Sequence, residues 1–515
     1  MATVMTRVQV ATLLAVAQDY AFGQPPGSQL RATVLAQDLA VAAGVDTAGR
    51  ATSWWASALR FLGCTGHAFE VAALFGDEIA LRDRSLRADA ANPADMLRLM
   101  VGHAGPGLSG LPRLRSVIAT VATGRQGVEY NFRTACEVAD ALAARLGLDL
   151  PARTALAASF ERWNGRGVPN GIAGTAIPLP MRIAQLAQEF EVLARLEGPT
   201  PALEIIRARR GRAYDPELTD LVLDGGSAWW AALDPVDPWD AAIDAAPVVA
   251  PLDEAAVRDA LLVVADFADL KSPWTNGHSR EVAALALAAC GSSAESAALV
   301  HDLGRVAVPN TVWDKPGPLT RDERDRAESV PLVTEQLLRR IPYTAELTAT
   351  AAAAHERLDG SGYHRRITGA LLDPAQRVLA AADCYQAMTA ARPHRGPHSP
   401  AAAAAQLRSL AVAGGLCGEA VERVLAAAGH RRAARVALPA GLTAREVEVL
   451  GLLALGLTTR AIADRLVISP KTADHHVQHI YGKIGVSTRG AAALFAAEHG
   501  LLTTEPPPFA ATPTG

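Results

Sequence analysis

One segment of this chain occurs twice. FERWNGRGVPNGIAG at 160–174 is echoed by HERLDGSGYHRRITG at 355–369, an offset of 195 residues. At the same offset RIAQLAQ (182–188) is echoed by RVLAAAD (377–383), and a helical stretch at 200–223 by one at 399–425. Upstream, GSQLRATVLAQDLAVAAG (27–44) matches GHSREVAALALAACG (277–291) at an offset of 250. The first copy therefore carries about 55 extra residues, most of them between 64 and 115. Copies of this length are whole domains, each with its own core. Something different follows after about residue 440.

Both copies read as helical. Apolar residues recur at three- and four-residue spacing, as in VRDALLVVADFADL (257–270) and SREVAALALAAC (279–290). Alternating β-branched runs are nearly absent, so the expected fold is all-α. With 50% apolar and 20% charged residues the chain can bury a core, which excludes whole-chain disorder. A net charge of −4 excludes a basic nucleic-acid coat but leaves room for a small DNA-binding module. No apolar run approaches the roughly 18 residues that cross a bilayer. The N-terminus lacks the marks of a signal peptide. The five cysteines form no C-x-x-C pair, which suits reduced thiols. A cytoplasmic protein with no membrane contact is expected.

Within the second copy, His278, His301, Asp302 and Asp383 stand in apolar, periodic surroundings. A buried imidazole or carboxylate needs a partner. Such groups converging from separate helices suit a divalent cation, which binds phosphate oxygens and makes bound water a nucleophile. A retained, metal-free core is the alternative. The ordered pattern H…HD…D resembles the HD phosphohydrolase superfamily. AALVHDLGRVAVPNTVWDKPGPLT (297–320), AHERLDGSGYH (354–364) and AAADCYQAMTAARPHR (380–395) are similar to its HD-GYP branch, over about 257–429. That resemblance implies hydrolysis of cyclic dinucleotides, chiefly cyclic di-GMP, at two or three metals. It places a first divalent ion, Fe, Mn or similar, on His278, His301, Asp302 and Asp383, and makes His355 a metal ligand as the surviving member of the family's second-metal histidine pair. It makes Asp302 and Arg305 the catalytic residues. The match departs from the family where Val330 and Ala354 replace histidines, and where His364 replaces the proline of GYP. Arg305 stands where the family has Lys; it can still meet a phosphate, but the two are not interchangeable. One metal site is therefore expected rather than two. His355 and His364 read equally as ligands or as ordinary polar residues.

The first copy has lost these groups. The offsets set Gln188 against Asp383, Phe160 against His355, Ala135 against Val330 and Ser28 against His278. The HD pair falls near Phe61-Leu62. No ionisable ligand remains, so this copy reads as a degenerate HD-GYP-like domain, structural or sensory.

Residues 441–502 read as four short helices. Thr443 and Glu446 have capping-box spacing, and Gly456 is a natural stop. Thr458 can cap the second helix. Ser469 caps the third, with Pro470 at its first position. Val477, Ile480 and Ile484 would face the core, leaving Lys471, Thr472, Asp474, His475, Gln478 and Lys483 outward. A short helix, a tight turn and a longer helix with a polar face form the helix-turn-helix plan. LTAREVEVL, GLTTRAIADRL and ISPKTADHHVQHIYGKIGVSTR closely resemble the LuxR/FixJ-type helix-turn-helix. By that resemblance the six outward residues meet duplex DNA, Lys483 at a phosphate. The module carries six Lys/Arg against five Asp/Glu, so a homodimer is expected to supply the missing affinity. The apolar face of the closing helix, 488–502, is its expected seam.

The expected organisation is a degenerate repeat at 1–246, an HD-type domain at 252–430, a LuxR-type domain at 438–502 and a disordered tail at 503–515. The expected function is a DNA-binding transcriptional regulator whose HD domain senses or processes a phosphorylated nucleotide ligand. The alternative is a metal-dependent cyclic-dinucleotide phosphodiesterase with DNA binding secondary.

Overall fold

The computed structural model describes residues 4–89, 92–105, 110–247, 249–429 and 438–502. The expected tail lies outside the described residues. Among them all regular structure is helical and there is no strand, so the fold is all-α. The chain divides into two compact units. One is Met1–Val263 with Pro309–Thr311; the other is Val264–Val308 with Val312–Gly515.

In the first unit, the Ser28–Ala42 helix packs on the Leu179–Glu197 helix. Leu35, Leu39, Ile183, Leu186 and Phe190 interdigitate between them. Local signals fix the helix starts. Thr6 and Gln9 form a capping box before Arg7–Ala21, and Asp215 caps Pro216–Leu233 through Glu217 N. The extra residues of this copy build helices at Ala68–Phe75, Glu78–Arg87 and Pro93–His103, after a 3-10 turn at Cys64–His67 whose counterpart in the second copy is Leu303–Ala307. They also lengthen the next helix, which runs 36 residues from Gly110 to Arg145.

The second unit repeats the framework. Asp19 Oδ1 accepts from Gln29 N at 2.9 Å; Asp269 Oδ2 accepts from Ser279 N at 2.7 Å, at the offset of 250. Glu161 Oε1 accepts from Asn170 N at 2.8 Å, and Glu356 Oε1 from Arg365 N at 2.8 Å, at the offset of 195. Each carboxylate ties the loop after it to the helix end before it. Gly165 and Gly360 take φ of 73° and 75° in these loops, a conformation that favours glycine.

A third pair corrects the register of the HD motif. A Cβ on Gly63 would lie 1.8 Å from Ala135 O, and one on Gly304 2.1 Å from Val330 O. Two backbones meet at each place with no room for a side chain, so Gly63 corresponds to Gly304. His301-Asp302 therefore corresponds to Arg60-Phe61, not to Phe61-Leu62. The sequence offset misses this because the long insertion begins directly after it.

Four helices close the second unit: Ala444–Ala454, Thr459–Leu466, Pro470–Ile484 and Arg489–Glu498. The Thr443–Glu446 capping box, the Thr458 cap and the Ser469 cap with Pro470 behind it all form. Val477 and Ile480 are buried, and Ile484 is half-buried. In the closing helix Ala491, Ala492, Ala493, Leu494 and Ala496 are buried, and it packs on Ala444–Ala454. The apolar face expected to be a dimer seam is thus covered by its own chain.

Candidate functional site

Three helices and a loop aim side chains at one point of the second unit. His278 is the first residue of His278–Cys290, positioned by Gly277 in the left-handed conformation. His301 and Asp302 follow the end of Ser292–Val300. Asp383 lies in Pro374–Thr389, which a capping box of Asp373 and Gln376 starts. His355 comes from the loop held by Glu356.

All five are buried. His278 Nε2 lies 3.3 Å from both Asp302 Oδ2 and Asp383 Oδ1. His301 Nε2 lies 3.5 Å and 3.8 Å from the same two atoms. His355 bridges the carboxylates, with Nε2 3.4 Å from Asp302 Oδ1 and Nδ1 3.4 Å from Asp383 Oδ2. One ligand atom each from His278, His301 and Asp383 falls within 4.8 Å of the others.

The ring orientations are set from behind. His278 Nδ1 meets Gln386 Oε1, and Gln386 Nε2 donates to Glu281 Oε2 at 3.0 Å. His301 Nδ1 donates to Ala298 O at 2.7 Å. This leaves both Nε2 atoms facing inward, buried and without an aligned hydrogen bond. That is how metal-ligating histidines are held.

The charges of the cluster are tightly coupled. Burial alone would raise the Asp302 and Asp383 carboxyls. Arg305 and His301 around Asp302, and the three imidazoles around Asp383, outweigh it and hold both well below the usual range. Burial pulls His278 down, but the two carboxylates win and raise it to about 9. Two anions ringed by three imidazoles suit a divalent ion of nitrogen and oxygen preference.

Arg305 pairs with Asp302 and lies 4.6 Å from the Trp313 ring centroid. Its Nε and Nη1 are buried without hydrogen-bond partners among the described residues. Beside the centre a cavity of about 490 Å³ is lined by Arg305, Arg357, Arg392, Arg395, His355 and Asp383. Such a wall is built for an anion.

Where histidines of a second metal site were expected, Val330 and Ala354 are buried apolar residues. His364 is not at the centre: its Nε2 lies 3.4 Å from Glu335 Oε2. The sequence reading missed Gln386, Arg392 and Tyr363, which stacks on His355 at 5.0 Å. It also missed Asp269, whose match with Asp19 at offset 250 was there to be found.

In the C-terminal module, Lys471, Thr472, Asp474, His475 and Gln478 are exposed on one helix. Lys483 is exposed as well, as expected, but it is also paired. Its Nζ donates to Glu446 Oε2 at 2.7 Å and to Gly441 O at 3.0 Å. Burial would raise Glu446; Lys483 and Thr443 overcome it and hold the carboxyl at about 2. Lys483 thus braces the first cap of the module rather than presenting a free ammonium. Lys471→Ala should weaken DNA binding for all sequences and reduce the salt slope by about 0.9 unit per site. Lys483→Ala should leave that slope unchanged and cost the module less than about 1 kcal/mol, since the pair is partly solvated. Fluorescence anisotropy across a salt series separates the two; equal slopes for both variants would contradict these roles.

Comparison with known proteins finds two families in this chain. An HD domain model matches residues 130–218 and 262–413. A model for bacterial regulatory proteins of the luxR family matches 440–496. The chain is 29% identical over 395 residues to 3'3'-cGAMP-specific phosphodiesterase 3 of Vibrio cholerae, covering 74% of this chain and 86% of that one. It is 43% identical over 67 residues to the DNA-binding transcriptional activator DevR/DosR of Mycobacterium tuberculosis, covering 13% and 30%. A crystal structure of a cyclic GMP-AMP specific phosphodiesterase from V. cholerae aligns with TM-score 0.56 at 24% identity, over 82% of this chain and 98% of that one. At that identity the alignment speaks for the fold alone.

Proposed function

We propose that this chain, which carries HD domain sequence and a C-terminal LuxR-type helix-turn-helix domain, is a transcriptional regulator that binds duplex DNA and whose second HD repeat binds and slowly hydrolyses a cyclic dinucleotide. The carrying observation is the inward-facing pair of unpartnered imidazole nitrogens, His278 Nε2 and His301 Nε2, beside Asp302 and Asp383. His278, His301, Asp302 and Asp383 would hold one divalent ion, with His355 as a fifth ligand. Held there, such an ion would supply Lewis-acid chemistry: a bound water of lowered pKa and a polarised phosphoryl oxygen. The chain's own residues do the rest. Arg305 and Arg392 would neutralise the phosphodiester in the adjoining cavity. Hydrolysis adds water oxygen to phosphorus and breaks one P–O ester bond. Val330 and Ala354 leave no imidazoles for a second ion, so turnover should fall below the usual enzymatic range, which starts near about 1 s⁻¹.

The DNA-binding module on the same chain supports regulation as the main role. Among the described residues no helix is long and apolar enough to cross a membrane, and we place the protein in the cytoplasm. A homodimer on a two-fold DNA site remains part of this reading, joined through a surface other than the closing helix. Metal content of the purified protein, with hydrolysis of 3'3'-cGAMP and cyclic di-GMP, tests the reading. About one divalent ion per chain and slow loss of at least one dinucleotide are expected. Protein that binds neither metal nor dinucleotide, yet binds DNA, would make the second repeat a scaffold.

A further inference from the structure

The first repeat keeps a cavity where the second keeps its ligand cluster. Phe61 takes the place of Asp302, Phe160 that of His355 and Arg60 that of His301, as the glycine and offset pairs show. The space is about 200 Å³. Its walls are aromatic: Phe22 stacks on Phe61 at 4.2 Å, and Phe132 lies 4.3 Å from Phe160. The inserted helices close it with Val71, Leu81 and Met100. No metal ligand survives at the matching positions.

Two cations are buried in this apolar space. Arg60 is 6% exposed. Its Nη2 donates to Ser159 O at 3.2 Å, while Nε has no partner. Arg82 is also 6% exposed and donates only to the backbone, to Cys64 O at 2.6 Å and Ala21 O at 3.3 Å. Among the described residues no carboxylate pairs with either. A buried guanidinium without a counter-ion is costly, and the ring of Phe61, 5.0 Å from Arg60 Cζ, offsets only part of that. His67 lines the same space with Nδ1 unpartnered. Burial pushes its pKa to about 3, so it is a neutral hydrogen-bonding group. Arg60 is pushed down to about 9 by burial and by Arg162, and stays a cation at neutral pH.

We propose that this cavity binds a monoanionic, largely apolar molecule, a carboxylate with an aliphatic or aromatic body, whose head pairs with Arg60. A planar carboxylate matches the guanidinium fork, and the hydrocarbon body fills the phenylalanine walls. A cyclic dinucleotide could pair its phosphates with these guanidiniums too, but the edges of its polar bases would find few hydrogen-bond partners among the phenylalanine walls. The proposal is independent of the chemistry of the second repeat.

The test uses the full chain, titrated calorimetrically with decanoate and with 1-decanol. Decanoate should bind at one site per chain, at least about tenfold tighter than the alcohol, because the buried charge gains a partner. Arg60→Met should erase that preference while keeping decanol binding. Asp302→Ala should leave decanoate binding unchanged, which sets this site apart from the other repeat. If Arg60→Met does not fold, Phe132→Trp, which fills the space from its half-buried side, should weaken both ligands at least about tenfold. Equal affinity for acid and alcohol, no binding of either, or unchanged binding in Phe132→Trp would each overturn the proposal.

Discussion

Asp302→Ala is expected to remove bound metal and to lower any dinucleotide hydrolysis at least about a thousandfold. Asp302 faces all three imidazoles of the cluster. Its Oδ2 faces His278 Nε2 at 3.3 Å and His301 Nε2 at 3.5 Å, and its Oδ1 faces His355 Nε2 at 3.4 Å. It also pairs with the buried Arg305. The alanine removes a ligand and leaves the buried Arg305 guanidinium without its carboxylate. Part of the loss is therefore stability, because breaking a buried pair leaves an uncompensated charge. Asp302→Asn keeps the shape and separates the effects: it should fold more stably than the alanine variant yet still lack activity. Metal analysis and a hydrolysis assay on both variants decide the matter. Turnover that survives in Asp302→Ala would refute the assignment.

Gly304→Ala is expected to cost more than about 3 kcal/mol, or to prevent the second unit from folding. The added Cβ would lie 2.1 Å from Val330 O and 2.7 Å from Thr334 N, both backbone atoms that no rotamer can move away. Thr334 Oγ1 accepts from Gly304 N at 2.9 Å and donates to His301 O at 3.0 Å, so the same contact aligns the HD pair. Gly63→Ala in the first unit meets Ala135 O at 1.8 Å and should cost as much. Its effect should appear in the unfolding of that unit, with metal content unchanged. Chemical denaturation read against metal analysis distinguishes the two variants; a loss below about 1 kcal/mol in either would show that the backbones can separate.

The repeat and the C-terminal module were legible because their signals are local. Thr443, Glu446, Ser469 and Pro470 specify helix starts by chemistry that acts over three residues. The metal candidates were legible for another reason: charged residues in apolar periodic segments have few other uses. What escaped depends on partners far away in sequence. Nothing near Lys483 says that Glu446, 37 residues earlier, holds it. Nothing near His364 points to Glu335. The register at Arg60 escaped because its evidence is a glycine fitted against Ala135, across the insertion. The cavity of the first repeat was invisible for the same reason, since the inserted helices supply part of its wall.

The paired carboxylates Glu161 and Glu356 bear on the history of such a chain. Each holds its own loop through backbone amides, and neither belongs to a ligand cluster. Residues that keep the shape and residues that perform chemistry are therefore different residues. After a duplication, one copy can drift at its centre, with Phe160 where the other has His355 and Phe61 where it has Asp302, without loosening the helices around it. Selection for folding and selection for reaction then act on separate letters of the same text.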